Sequence, residues 1–106
     1  MAKYIVAASY TPDGIKGLLS KGGSARRDAV SKTVAEIGGK VESFYFAFGS
    51  DDAFVIVDLP DNVAAAALGL AVAASGMVAT RTIVLLTPEE LDKAAKMTVN
   101  YRAPGS

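Results

Sequence analysis

Few side chains in this sequence are equipped for chemistry, and their types narrow what that chemistry can be. The chain has no His and no Cys. A Ser-His-Asp triad, a His proton shuttle, His-ligated haem, a thiol nucleophile and zinc held by the usual His/Cys set are all excluded. Carboxylates, Tyr, Lys and Arg remain. Arg81 is the only charge in the apolar run Val78–Leu86, and an arginine so placed needs a partner. Either it anchors an anionic or carbonyl-bearing ligand, or it forms a structural ion pair with Glu42, Asp58 or an acid of a second subunit. Tyr4, Tyr10 and Tyr45, with Ser9, Glu42 and Arg81, would line an aromatic pocket with hydrogen-bonding groups. The alternative is core or interface tyrosines with their hydroxyls at the rim.

A second cluster is Gly22-Gly23-Ser24-Ala25-Arg26-Arg27. Flexible glycines, a capping hydroxyl on Ser24 and free N–H groups at a helix start bind anions, and Arg26 and Arg27 would strengthen such a site. It is not a P-loop, lacking the Lys-Ser/Thr ending. An ordinary helix start, its arginines paired with acids such as Asp28, explains it as well. Asp51-Asp52 reads as a pair of turn formers, and no metal or cofactor is predicted.

The elements that must position these residues follow from periodicity. Lys3–Tyr10 is a β-run closed by the turn signal Thr11-Pro12-Asp13-Gly14. A short helix over Ile15–Lys21 and an amphipathic one over Arg26–Ile37, capped by Ser24 and stopped by Gly38-Gly39, come next. Lys40–Pro60 is a hairpin turning at Gly49-Ser50-Asp51-Asp52. A helix from Val63 to about Ser75, capped by Asp61 or Asn62, carries no charge on any face and is expected to be buried all round. A last strand, Val78–Leu86, precedes a short helix with Thr87 as N-cap and Pro88 in its first turn. The order predicts one α+β domain over residues 1–106. It is a ferredoxin-like βαββαβ unit with a four-stranded antiparallel sheet, helices on one face and an added C-terminal helix.

Eleven basic and eleven acidic residues balance, which argues against a nucleic-acid partner. The longest apolar stretch, Val63–Ala74, is too short to span a bilayer. The N-terminus enters a strand without a signal-peptide layout, so a soluble, cytoplasmic protein without a membrane partner is predicted. A composition 51% apolar is rich for one small domain and points to self-association. The strands agree: neither parity of the hairpin is polar enough to be a wet sheet face, and a second sheet packed face to face would satisfy both.

Tyr4–Tyr10 with Thr11-Pro12-Asp13-Gly14, Gly22–Arg27, Glu42–Gly49, Val57–Asp61 and Tyr101-Arg102-Ala103-Pro104-Gly105 together resemble the GYD-domain family across nearly the whole chain. The sequence departs at the tripeptide that names the family, with Gly49-Ser50-Asp51 in its place. The resemblance implies a dimeric α/β barrel, two ferredoxin-like sheets facing each other, and carries no secure activity. Three functions follow as expectations. One is an oligomeric module binding a small anionic or aromatic molecule in the inter-sheet barrel or at the subunit interface. The second, by likeness to other dimeric α/β-barrel proteins, is a cofactor-independent monooxygenase or isomerase acting on an aromatic or lactone substrate, with Tyr45, Glu42 or Arg81 handling protons and charge. The third is a structural homo-oligomer with no ligand.

Overall fold

The computed structural model describes residues 1–106. Its elements run β1 (Ala2–Tyr10), α1 (Pro12–Lys21), α2 (Gly23–Glu36), β2 (Lys40–Phe46), β3 (Ala53–Leu59), α3 (Asn62–Ala74), β4 (Val78–Leu85) and α4 (Pro88–Ala95). The strands form one antiparallel sheet in the order β2-β3-β1-β4, with β1 and β3 central. This is the expected ferredoxin-like α+β arrangement.

Local chemistry fixes most boundaries, and two differ from the sequence reading. Thr11-Pro12-Asp13-Gly14 is a helix start rather than a free turn. The Thr11 hydroxyl accepts from Gly14 N–H at 3.2 Å and Pro12 fills the first turn, so α1 begins three residues early. Gly22, at φ 88°, ends α1 and opens α2 directly, which puts Ser24 inside the helix and leaves α2 without a side-chain cap. Asp61 caps α3, accepting from Ala64 N–H at 2.9 Å.

Register sets what each sheet face carries. Tyr4, Val6, Ala8 and Tyr10 on β1 lie beside Val57, Val55 and Ala53 on β3 and point to the helices. Ile5 and Ala7 share the other face with Phe54, Ile56, Arg81 and Ile83. On β2 a bulge between Val41 and Ser43 breaks strict alternation. It puts Val41 on the same side as Phe44 and Phe46, and Ser43 and Tyr45 on the open side.

The helices share the sheet unevenly. α2 lies against β2 and α1, whereas α3 lies against β4 and β3. The middle of the sheet is therefore thinly roofed, and the core falls into two clusters. Tyr4, Val34, Val55, Val57 and Leu59 form one; Ala8, Ala53 and Val78 form the other. Only ten residues of 106 are buried, an open structure for so apolar a chain. α3 corrects the expectation of a helix buried all round: none of its residues is buried, and Val63 and Leu70 face solvent. A single layer of helices leaves its outer side without neighbours.

Beyond Leu85 the chain leaves the body. Leu91, Met97, Val99 and Tyr101 are all exposed, so neither Val99 nor Tyr101 docks on its own domain. The radius of gyration is 16.9 Å, against about 13 Å for a compact chain of this length. Within this arm α4 is specified locally by a capping box, in which Thr87 N–H donates to Glu90 Oε1 at 2.9 Å and Glu90 N–H to Thr87 Oγ1 at 3.1 Å. The Thr87 backbone N–H, and after it the Thr87 side chain, hold the Glu90 carboxyl below the usual glutamate range. The cap's contribution is therefore complete above the unfolded value of about 4.3 and is lost as pH falls through the lowered folded value. Acidification should fray α4 while the sheet persists. Amide exchange at Glu90 and Leu91 against that at Val55 and Val57 measures this.

Candidate functional site

The sheet separates the sequence-derived candidates onto two faces. Ser9, Glu42, Tyr45 and Arg81 lie on the open side, Tyr10 on the helix side with Arg26. A single aromatic pocket holding Tyr4, Tyr10 and Tyr45 is thus ruled out by register: Tyr4 is fully buried beneath the helices, its hydroxyl donating to Asn62 Oδ1 at 2.6 Å, while Tyr45 is 70% exposed on the opposite face.

On the open face Ile5, Phe54, Ile56, Ile83 and Tyr45 make an apolar field with ionic ends. At one end Lys3 Nζ meets Glu42 at 2.6 Å and Asp58 at 2.9 Å. The Glu42 carboxylate, and after it Asp58, hold the Lys3 proton more tightly than in an ordinary lysine. At the other end Arg81 Nη2 donates to Asp51 Oδ2 at 2.8 Å, and the Ser9 hydroxyl donates to the Ser50 carbonyl at 2.9 Å. Both acids named in the sequence as partners for Arg81 are engaged by Lys3 instead. The hairpin tip supplies the partner, and it does so because it folds back on β1: Asp52 N–H donates to the Ala8 carbonyl at 2.7 Å and Tyr10 N–H to Asp52 Oδ2 at 2.8 Å. The adjacent acids thus have separate structural tasks. Ala7, Ser9, Asp51, Thr80 and Arg81 surround a shallow hollow here, its cation already neutralised.

The better-formed concavity lies on the other side. Between α2 and α3, floored by β1 and β3, is a cleft of about 330 Å³, within the usual range of ligand pockets, roughly 300–1,000 Å³. Small residues make the room: Ala8 and Ala53 on the floor, Ala29 on α2, Ala65 and Gly69 on α3. Val30, Phe44, Val55, Leu68 and Val72 give it an apolar wall. Its lining contains no carboxylate and no lysine, and Arg26 is its one charge.

Arg26 therefore separates from the two residues grouped with it in the sequence. Ser24 is exposed. Arg27 is exposed and pairs with its neighbour Asp28 at 3.2 Å, the ordinary helix-start arrangement. Arg26 instead turns its guanidinium over the Tyr10 ring, 5.9 Å from the centroid. Its Nε is buried with no hydrogen-bond partner, the only such side-chain atom in the molecule. The remaining cleft residues were not singled out in the sequence, where alanine and valine at helical spacing signal only a core. No group of three or more His, Cys, Asp or Glu residues is placed to hold a metal. No helix is long and apolar enough to cross a membrane.

A ferredoxin-like α+β domain with one open sheet face and a cleft beneath its helices is the class these features define. The GYD domain family model matches residues 4–95 of the 106, and the chain belongs to that family. No curated protein and no solved structure gives a significant match.

Proposed function

We propose that this GYD-domain protein is a homo-oligomeric module that binds a small molecule, pairing through the open face of its sheet and holding its ligand in the cleft between α2 and α3. The observation that carries the reading is the cleft: a space floored by the two central strands where a domain of this size would ordinarily close its core. The hollow on the sheet face makes a poorer receptor, because it is shallow and Arg81 is occupied by Asp51. The ligand reading therefore moves from the inter-sheet space to the helix side. Pairing is supported by Ile5, Phe54, Ile56 and Ile83 on a face that no helix covers, and by the unpartnered C-terminal arm. Within the cleft only Tyr10 and Arg26 are ionisable. That set favours binding over proton transfer.

Gly69 tests the reading. It lines the cleft, and a Cβ placed on it would meet nothing within 4 Å. Gly69→Ala should stabilise the domain by about 1 kcal/mol through helix propensity alone. Gly69→Phe should remain folded and plug the cleft. Titration with octanoate or octan-1-ol, each below its aggregation limit, should give one site per chain in the wild type and none in Gly69→Phe. Undiminished binding to the folded Gly69→Phe protein would remove the cleft from consideration.

A further inference from the structure

From the same cleft, and resting on the reading just given, we infer the chemical class of its ligand: a monocarboxylate of about ten non-hydrogen atoms in all, its body apolar and its carboxylate held by Arg26. Three features converge on this class. The first is charge. A cleft with a single cation and no acid in its lining favours one negative group, and it offers no second cation for a doubly charged head.

The second is an unmet hydrogen bond. The buried Arg26 Nε has no acceptor anywhere in the chain, and a buried donor left without a partner is costly. Asp28, the nearest acid in sequence, is engaged by Arg27. The edge of a guanidinium formed by Nε and one Nη presents two parallel N–H groups, and a carboxylate accepts both at once. The Arg26 guanidinium carbon sits over the Tyr10 ring, a cation–π contact that helps to hold the group at the cleft.

The third feature is shape. Val30, Phe44, Val55, Leu68 and Val72 offer a ligand body apolar contacts, with hydroxyls only from Thr and Ser residues besides Tyr10. At roughly 30 Å³ for each water-sized atom, a volume of about 330 Å³ accommodates a chain or ring system of that size. The arginine fixes one end, and the apolar body fills the space between the helices.

The test compares two ligands of equal length that differ in the head group, octanoate and octan-1-ol, on wild type and two variants, by isothermal titration calorimetry. Arg26 lies in the first turn of α2 and belongs to neither core cluster, so Arg26→Met and Arg26→Lys should both fold, as circular dichroism will verify. Octanoate should bind the wild type at least tenfold more tightly than octan-1-ol. Arg26→Met should erase that preference and leave the alcohol's affinity unchanged, while Arg26→Lys, which lacks the two-pronged edge, restores it only in part. Equal binding of the two ligands to the wild type, or an unchanged octanoate affinity in Arg26→Met, would overturn the carboxylate assignment and leave the cleft standing. Failure of both ligands to bind the wild type would overturn the cleft reading and this inference together.

Discussion

On the pairing proposed above, Ile83→Asp should leave a folded monomer where the wild type self-associates. Ile83 lies in a cross-sheet row with Ile5, Ile56 and Ser43 on the face that no helix covers, and it is 46% exposed in the single chain. The monomer's two core clusters do not use it, so the cost of the substitution falls on association. A carboxylate in the middle of an apolar sheet-to-sheet interface would be buried without a partner, since Lys3 is engaged by Glu42 and Asp58 and Arg81 by Asp51. A loss of about 2–4 kcal/mol is typical of such central positions, corresponding to roughly a 30- to 1,000-fold weaker dissociation constant. Light scattering coupled to gel filtration reads the outcome. An unchanged mass with native circular dichroism would show that the chain does not pair through this face.

Gly39→Ala should be among the most destabilising single substitutions, although it adds only a methyl group. That methyl would lie 2.5 Å from the Asp58 carbonyl oxygen, 2.7 Å from Leu59 Cδ2 and 3.0 Å from Val34 Cγ1. The first is backbone of a central strand, and the other two belong to residues with no solvent exposure. None can yield without shifting β3 or the end of α2. Overpacking of this kind costs about 3 kcal/mol, or a fall in melting temperature of roughly 15 °C for a domain of this size. Gly17→Ala is the control: Gly17 lies within α1, its added Cβ meets nothing within 4 Å, and the substitution should leave melting unchanged or raise it. Equal melting of the two variants would contradict the close approach at Gly39.

These two positions also mark what periodicity can and cannot reach. The alternation of β1 and of the hairpin is strong enough to give the sheet, the order of elements and two apolar faces. Gly38-Gly39 reads in the sequence as one helix stop, yet the two glycines serve different ends. Gly38 adopts φ 83° to end α2, while Gly39 is small because β3 passes against it. The bulge at Val41/Ser43 is equally hidden, since one extra residue changes which face each later side chain takes without changing composition.

The candidate site was legible in its parts and not in its assembly. Arg26 and Tyr10 both stood out, but for different reasons and in different groupings. Their pairing depends on how far α2 and α3 lean toward opposite edges of the sheet, a tertiary property with no local signal. The alanines lining the cleft look in the sequence like material for close helix packing. The gap that they leave over β1 and β3 appears only once the helices are placed.

The central claim, that a small molecule enters on the helix side of the sheet, has a direct measurement. Named methyl groups report the two faces separately: Val30, Val55, Leu68 and Val72 line the cleft, while Ile5, Ile56 and Ile83 lie on the open face. In a methyl-labelled NMR titration with octanoate, the valine and leucine signals of the cleft should shift in a saturable manner while the three isoleucines stay fixed. Shifts concentrated on Ile5, Ile56 and Ile83, with the cleft methyls unmoved, would contradict the account and return the site to the space between sheets.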